Sequence, residues 1–283
     1  MNTKNKSLLN IHIAVFLFGL SGLFGKLISL PAIIIVFGRV FFSSLFLLIV
    51  LLYLKKDIKL KQSKHYFSFI VLGIVLAIHW TTFFKSIQVS TVAIGLLAFS
   101  TFPVFDTFLE PYFFKEKIKL SDIAIAIITF LGVALVIPKF ELGNNLTQGV
   151  LWGVVSGFTY AVLSIFNRKY VTLYSSSVIA FYEQFIATIA LLPFFLLAKP
   201  NFHPKYIFLL VLLGIVFTAI CHSLFINGLK NIKTQTAGII SSLEPVYGII
   251  FAAFLLREIP TSRELLGGIV ILSAAIYSTI KSK

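Results

Sequence analysis

The sequence has few charged residues and almost no sulfur. Only 12% of its 283 residues are charged, whereas a soluble domain is about one quarter charged. With 58% hydrophobic residues and a mean hydropathy of +1.00, an ordinary globular core is excluded, because too much apolar surface would face water. The single cysteine, Cys221, excludes a disulfide framework and a cysteine-based metal site. These features predict a polytopic membrane protein.

Ten apolar runs reach the length of roughly 20 residues that a membrane-crossing helix needs. We predict spans at 8–28, 32–54, 66–86, 91–113, 122–138, 149–168, 177–198, 205–228, 236–256 and 262–281. The connections are too short to hold a soluble domain. Pro103, Pro193 and Pro245 lie inside these spans, and we expect them to bend or break the helices.

The basic residues predict the orientation. The net charge is +14, but the basic residues form short clusters between apolar runs, so we expect no nucleic-acid partner. Of the 24 basic residues, sixteen fall on the side of the N-terminus, seven on the other side, and Arg39 within a span. This bias predicts that both termini are cytoplasmic. A composition rich in Lys, Ile and Phe and poor in Ala favours a bacterial inner membrane.

The chain partly overlays itself after a shift of 142 residues. The matched pairs are Ser100 with Ser242, Pro103 with Pro245, and Glu116 with Glu258. The repeat unit holds five spans, and because five is odd, the second copy enters the membrane from the opposite side. We therefore predict two inverted five-helix repeats, at 1–140 and 147–283. Inverted repeats are typical of secondary transporters, whose binding site lies near the midplane between the halves.

Two segments resemble the signatures of EamA-type transporters in the drug/metabolite transporter superfamily. They are SSLEPVYGIIFAAFLLRE (Ser241–Glu258) and FSTFPVFDTFLEPYFFKE (Phe99–Glu116). Arg39 in the second span, and Gly19 with Gly22 in the first, are also similar to that family. The resemblance implies an all-α membrane fold of ten helices with alternating access around a central cavity. It implies a small solute as substrate without specifying which one.

Glu244 is the strongest candidate for a substrate-binding residue. It lies roughly 13 Å into its span at 1.5 Å per residue, and ionisable side chains at such depth are costly and commonly functional. Its carboxylate could bind a cation, hold a proton, attract an ammonium group, or simply hydrogen-bond a neighbouring helix. Coupling of transport to protons through Glu244 is a hypothesis that follows from this depth.

Other polar and aromatic side chains are candidates for the cavity wall. Trp80 and His222 fall on each other after the 142-residue shift, and a Trp face can hold an ammonium group. Packing between helices is the alternative for each of them. The remaining candidates are His79, Ser21, Tyr160, Tyr247 and Phe84.

A second group is predicted to gate or couple transport. Glu183 and Arg39 lie about a third of the way into corresponding spans but from opposite faces, so we expect them at different levels, each gating its own side. Snorkelling of each side chain toward the membrane interface is the alternative. Asp106 shares a helical face with Glu110, four residues on, and pairing with cytoplasmic lysines is the alternative role. Pro103 and Pro245 mark the helices that are expected to carry the gates.

Several kinds of chemistry are missing from the sequence. It contains no HExxH, Walker or GxSxG motif, and its five His residues are dispersed without metal-ligand spacing. We therefore expect no cofactor, no bound metal and no enzyme activity, and active transport driven by an ion gradient or by exchange.

The leading hypothesis is a secondary transporter of an amino acid, amine or related metabolite, with export implied by the resemblance. A carrier that imports or exchanges a quaternary amine or a nucleoside-like solute is the alternative. A lipid-modifying enzyme and a channel are both disfavoured. The expected partners are the small-molecule substrate, the lipid bilayer and, under the coupling hypothesis, protons. The sequence is compatible with a monomer or a homodimer.

Overall fold

A computed structural model describes residues 3–114, 120–137, 141, 143–201, 203–231, 237 and 240–281. All regular structure in these ranges is helical. The helices are α1 (Thr3–Ser21), α2 (Phe24–Leu27), α3 (Ala32–Tyr53), α4 (Ser63–Val89), α5 (Val92–Phe99), α6 (Phe102–Phe114), α7 (Leu120–Val136), α8 (Asn145–Tyr170), α9 (Ser176–Ala198), α10 (Pro204–Gly214), a π-helical segment (Ile215–Ile220), α11 (Cys221–Gly228), α12 (Glu244–Leu255) and α13 (Ser262–Lys281).

Seven helices in the described ranges are long and apolar enough to cross a membrane. They are Thr3–Leu27, Ala32–Tyr53, Ser63–Val89, Val92–Leu109, Asn145–Tyr170, Ser176–Ala198 and Pro204–Gly228. Two shorter apolar helices, Ile123–Val136 and Glu244–Leu255, fall in the fifth and ninth predicted spans. The all-helical membrane fold is confirmed, whereas the count of ten spans and the inverted arrangement stay predictions.

Two of the three predicted proline effects are confirmed. The fourth predicted span is broken at Ser100–Thr101, just before Pro103, where α5 ends and α6 begins. The ninth is broken at Ser242–Leu243, just before Pro245 in the first turn of α12. These breaks fall at positions that the 142-residue shift matches. At each break the regular helical hydrogen bonding is interrupted, which leaves backbone groups free of their usual helical partners.

Pro193 does not break its helix, whereas a bend at this residue stays a prediction. Pro193 lies inside α9, which continues from Ser176 to Ala198. Membrane helices tolerate an internal proline where neighbouring groups or small backbone adjustments satisfy the freed carbonyl.

The helices of the first half of the chain, α1–α7, pack directly against those of the second half, α8–α13. Helix α4 packs against α8 and α9, α3 against α9 and α10, α1 against α11 and α12, and α5 against α8 and α12. The outer faces carry exposed apolar side chains such as Leu197 and Phe254, which suit contact with lipid tails. The interface between the two parts of the chain therefore forms the core of the molecule.

Glycines permit the closest of these helix crossings. A Cβ on Gly19 of α1 would lie 2.8 Å from the Glu244 carbonyl oxygen and 2.9 Å from the Tyr247 Cβ of α12. Since backbone and Cβ atoms cannot swing aside, the helices would have to separate. The Gly19 crossing therefore holds Glu244 in place.

We expect Gly19→Ala to lower the free energy of unfolding by about 1–3 kcal/mol, the usual range for overpacking a tight contact. Thermal unfolding in detergent measures this effect. Gly143→Ala is the matched control, because a Cβ at Gly143 meets nothing within 4 Å. Equal melting temperatures for the two variants would show that the α1–α12 crossing relaxes without cost.

Candidate substrate cavity

A small cavity lies at the centre of the molecule, between α1, α3, α4, α5, α8, α11 and α12. Its volume is about 30 Å³, enough for about two water molecules. The residues that line it are Phe18, Ser21, Arg39, Leu76, His79, Trp80, Phe83, Phe99, Tyr160, Leu163, His222 and Glu244. Since ligand pockets usually measure about 300–1,000 Å³, this cavity is too small to hold a metabolite without movement of the surrounding helices.

Arg39 is the cation of the cavity. Its side chain is 1% exposed, and its guanidinium carbon lies 3.8 Å from the centroid of the Trp80 ring. Its Nε donates a hydrogen bond of 3.0 Å to Thr218 Oγ1. Among the described residues, no partner satisfies the buried Nη1. Arg39 is thus oriented by two contacts and keeps a donor for an anionic group.

The π-helical segment positions Thr218. The Thr218 hydroxyl donates to the Leu213 carbonyl at 2.7 Å, five residues earlier, as the wider π turn allows. The same hydroxyl accepts from Arg39. Residue Gly214, just before the segment, lets the Arg39 backbone approach, because a Cβ there would lie 2.9 Å from the Arg39 carbonyl oxygen. The π-helix therefore sets the position of the guanidinium.

Glu183 and His222 form a buried pair beside the cavity. Glu183 Oε2 lies 2.8 Å from His222 Nε2, and Glu183 is fully buried. His222 reaches the cavity wall, while Glu183 lies behind it. The second carboxylate oxygen, Oε1, has no hydrogen-bond partner among the described residues. Glu183 therefore contacts the cavity only through the imidazole of His222.

Glu244 is the carboxylate of the cavity. It stands at the start of α12, just after the break before Pro245, and is 7% exposed. It lies within electrostatic range of Arg39. The site thus holds one carboxylate and one guanidinium on different helices. Such a pair can contact the ammonium and carboxylate groups of a zwitterion at the same time.

Aromatic rings form most of the remaining wall. Trp80 and His222 have ring centroids 5.9 Å apart, and Tyr160 lies 5.3 Å from His79 and 5.2 Å from Phe99. His79 is fixed from behind, with its Nδ1 2.9 Å from Ser156 Oγ. These rings would surround the apolar part of a bound solute.

The structure brings most of the predicted residues together. Six of the eight predicted cavity residues line it, namely Glu244, His222, Trp80, His79, Ser21 and Tyr160. The two others do not line it. Phe84 lies behind Arg39, 5.3 Å from its guanidinium, and Tyr247 packs against Phe16. Each lies about one helical turn beyond a residue that lines the cavity, Phe84 beyond Trp80 and Tyr247 beyond Glu244.

The residues that were predicted to gate or couple transport lie in different parts of the structure. Arg39 lines the cavity, and Glu183 lies beside it. Their partners Thr218 and His222 are about one helical turn apart, about 6 Å, and the gating of opposite sides by Arg39 and Glu183 stays a prediction. Asp106 accepts a hydrogen bond of 2.9 Å from Ser164 Oγ away from the cavity. The side chain of Glu110, and Glu116, lie outside the described residues.

A polar cluster that sequence reasoning missed closes one face of the molecule. Lys26 lies 3.6 Å from Glu258 Oε1 and donates to the Ser90 carbonyl at 2.6 Å. Glu258 Oε2 accepts from the Val92 backbone N–H at 2.9 Å, and Glu264 accepts from the Thr91 hydroxyl at 2.9 Å. The cluster ties the end of α2 and the α4–α5 turn to the α12–α13 connection. The repeat match at Glu258 was the only sequence signal for it.

Apolar helices long enough to cross a membrane, packed around a small cavity that holds charged and aromatic side chains, are typical of membrane transporters. The chain belongs to the EamA-like transporter family, which matches residues 5–137 and 147–280. The two matches establish two EamA repeats. The division into domains at 1–140 and 147–283 stays a prediction.

Several proteins are similar over most of the chain. An uncharacterized transporter, YxxF of Bacillus subtilis (strain 168), is 26% identical over 98% of this chain and 91% of its own. An S-adenosylmethionine uptake transporter of Rickettsia bellii (strain RML369-C) is 26% identical over 88% of this chain and 84% of its own. A crystal structure with 15% identity has a TM-score of 0.69 and covers 98% of this chain and 97% of that chain. That match supports the fold alone.

Proposed function

We propose that this protein is a secondary transporter that moves a small zwitterionic metabolite, of the amino-acid type, across the bacterial inner membrane by alternating access. The observation that carries the proposal is the placement of Arg39 and Glu244 in one aromatic-walled cavity. The substrate carboxylate would take the free donor of Arg39, and the substrate ammonium would lie against Glu244. Paired, hydrogen-bonded charges are the arrangement in which ions can be buried.

Because the cavity is small, opening of the cavity is the main conformational step of the proposed transport cycle. A metabolite does not fit into about 30 Å³, so the surrounding helices must separate for binding and release. The Lys26–Glu258 cluster closes one face and would have to open for access from that side. The breaks before Pro103 and Pro245 supply the places where half-helices can tilt.

Glu244 also offers a simple mechanism for proton coupling. Its carboxylate can hold a proton or face a substrate ammonium group, but a protonated carboxyl no longer attracts the ammonium. Binding of one would therefore favour release of the other, which yields exchange of substrate for protons. Such exchange suits export, the direction that the resemblance implies.

A nucleoside-like cation is the second candidate. The rings of Trp80, Phe83, Phe99 and Tyr160 could stack on a nucleobase, and relatives from Rickettsia are named S-adenosylmethionine uptake transporters. S-Adenosylmethionine carries an amino-acid group as well as a nucleoside. It therefore fits the same pair of charges, with uptake as the direction.

Solute counterflow in proteoliposomes tests the proposal. Vesicles are loaded with an unlabelled solute, and the entry of the same solute in labelled form is followed for an amino-acid mixture, S-adenosylmethionine, choline and adenosine. We expect accumulation of a probe that carries both carboxylate and ammonium groups, with none in protein-free vesicles. Accumulation of choline or adenosine alone would contradict the zwitterion proposal. An imposed pH gradient of either sign then reports coupling and direction.

A further inference from the structure

A second pocket lies far from the cavity, where α4 begins and α8 ends. Its volume is about 510 Å³, much larger than the central cavity. The residues that line it are Gln62, Lys64, His65, Phe67, Ser68, Lys169, Tyr170 and Leu173. The transport mechanism uses none of them.

The charge of this pocket is positive. Lys64 and Lys169 carry exposed ammonium groups on two different helices, and no acidic side chain is among the described residues that line the pocket. Five further basic residues stand near it in sequence, Lys55, Lys56, Lys59, Lys61 and Arg168, against a single acid, Asp57. An anion would be attracted to this pocket.

The floor of the pocket is rigid and aromatic. His65 is 6% exposed, and its Nδ1 lies 2.5 Å from the Tyr174 hydroxyl. Tyr170 is 2% exposed and packs on Phe69 with ring centroids 5.0 Å apart. The two lysines therefore stand over a preformed surface, although both are long and flexible.

The membrane side of the pocket is apolar. Phe67 is 70% exposed, and Val71, one turn beyond it on α4, is 42% exposed. Leu173, 39% exposed, lies instead in the connection that follows α8. The exposed surface of α4 thus changes from basic to apolar within about one turn. This change marks the level at which the chain passes from lipid headgroups to acyl tails.

We propose that this pocket binds the headgroup of an anionic phospholipid. Lys64 and Lys169 hold the phosphate, and an acyl chain runs along Phe67 and Val71. Basic pockets between membrane helices bind anionic headgroups in this manner. A free phosphate ion would use the lysines but not the exposed apolar strip, so the lipid is the source of the anion that accounts for both features.

Native mass spectrometry of the full-length protein in detergent, titrated with phosphatidylglycerol or phosphatidylcholine, tests the site. The test variant is K64Q/K169Q. The matched control K85Q/K205Q removes two exposed lysines elsewhere, one of them at the far end of α4. We expect K64Q/K169Q to weaken phosphatidylglycerol binding about 30-fold, a factor of about five for each lysine, and to leave phosphatidylcholine binding and the melting temperature unchanged. F67S should also weaken phosphatidylglycerol binding.

Three results would overturn the proposal. The first is equal phosphatidylglycerol affinity of K64Q/K169Q and K85Q/K205Q. The second is equal binding of the two lipids by the wild-type protein. The third is displacement of phosphatidylglycerol by inorganic phosphate combined with no effect of F67S, which would identify a site for the free ion. None of these readouts requires transport, so failure here is distinguishable from failure of the proposed function.

Discussion

Replacement of Arg39 by Gln is expected to reduce counterflow of a zwitterionic probe by about 100-fold or more. The guanidinium lies against Trp80 at 3.8 Å and keeps a free buried donor. Hydrogen bonds to charged groups contribute about 1.5–3 kcal/mol each, and about 2.7 kcal/mol corresponds to 100-fold. Initial counterflow rates of the variant and the wild-type protein, at matched amounts of reconstituted protein, measure the effect.

Two further variants separate recognition from folding. R39K keeps the charge but loses the planar donors and the stacking on Trp80, so we expect an intermediate loss. R263Q changes an exposed arginine of α13 and should transport like the wild type. Melting temperatures of all three show whether loss of Arg39 simply unfolds the core.

Transport of choline is the result that would contradict the zwitterion proposal. It has no carboxylate, so Arg39 would contribute only repulsion to its binding. If the wild-type protein transports choline, and R39Q transports it as well or better, the zwitterion proposal is wrong and the quaternary-amine alternative replaces it.

The sequence revealed those parts of the structure that depend on local pattern. Long apolar runs predicted the membrane helices, because a helix is the structure that satisfies its own backbone in lipid. Pro103 and Pro245 predicted the two breaks, because proline removes a backbone donor wherever it stands. The depth of Glu244 in an apolar run identified it as a candidate without knowledge of its neighbours.

The sequence did not reveal contacts between distant helices. Arg39 and Thr218 are 179 residues apart, and nothing local to either residue predicts that they meet. The π-helical segment reads IVFTAI, which is indistinguishable from an ordinary apolar helix. Its wide turn results from packing against α3, where Gly214 admits the backbone of Arg39. Depth alone therefore did not predict that Arg39 lines the cavity, and its role in gating stays a prediction.

Pro193 shows that the effect of a proline on a helix cannot be predicted from the residue type alone. The same residue type breaks two spans and leaves α9 continuous. The difference lies in the surroundings, since both broken helices meet at the crowded centre, whereas Pro193 is exposed on the outer face.

Replacement of Glu244 by Gln is expected to abolish the response of transport to a pH gradient and to reduce zwitterion counterflow by about 100-fold. The amide has nearly the same shape as the carboxylate, so the helix break before Pro245 should persist. The amide can neither take up a proton nor attract the substrate ammonium by charge, and it leaves Arg39 without the negative charge of Glu244. Counterflow with and without an imposed pH gradient measures both effects.

Two carboxylates serve as comparisons for Glu244. E141Q changes an exposed residue and should leave transport unchanged. E183Q removes the charge that faces His222 at 2.8 Å but lies behind the cavity wall, so its main effect should be on the melting temperature. A substrate site at Glu244 requires that E244Q lose more transport than E183Q at comparable stability.

The pH response decides between the two roles of Glu244. If E244Q still transports the zwitterion but no longer responds to the gradient, Glu244 couples protons without binding the substrate. If E244Q keeps the wild-type response to the gradient, proton exchange at this carboxylate is wrong. If E244Q also keeps wild-type counterflow, Arg39 remains the anchor of the substrate, and the ammonium must be held by the aromatic wall, because Trp80 and its neighbours are the remaining groups of the described cavity that attract a cation.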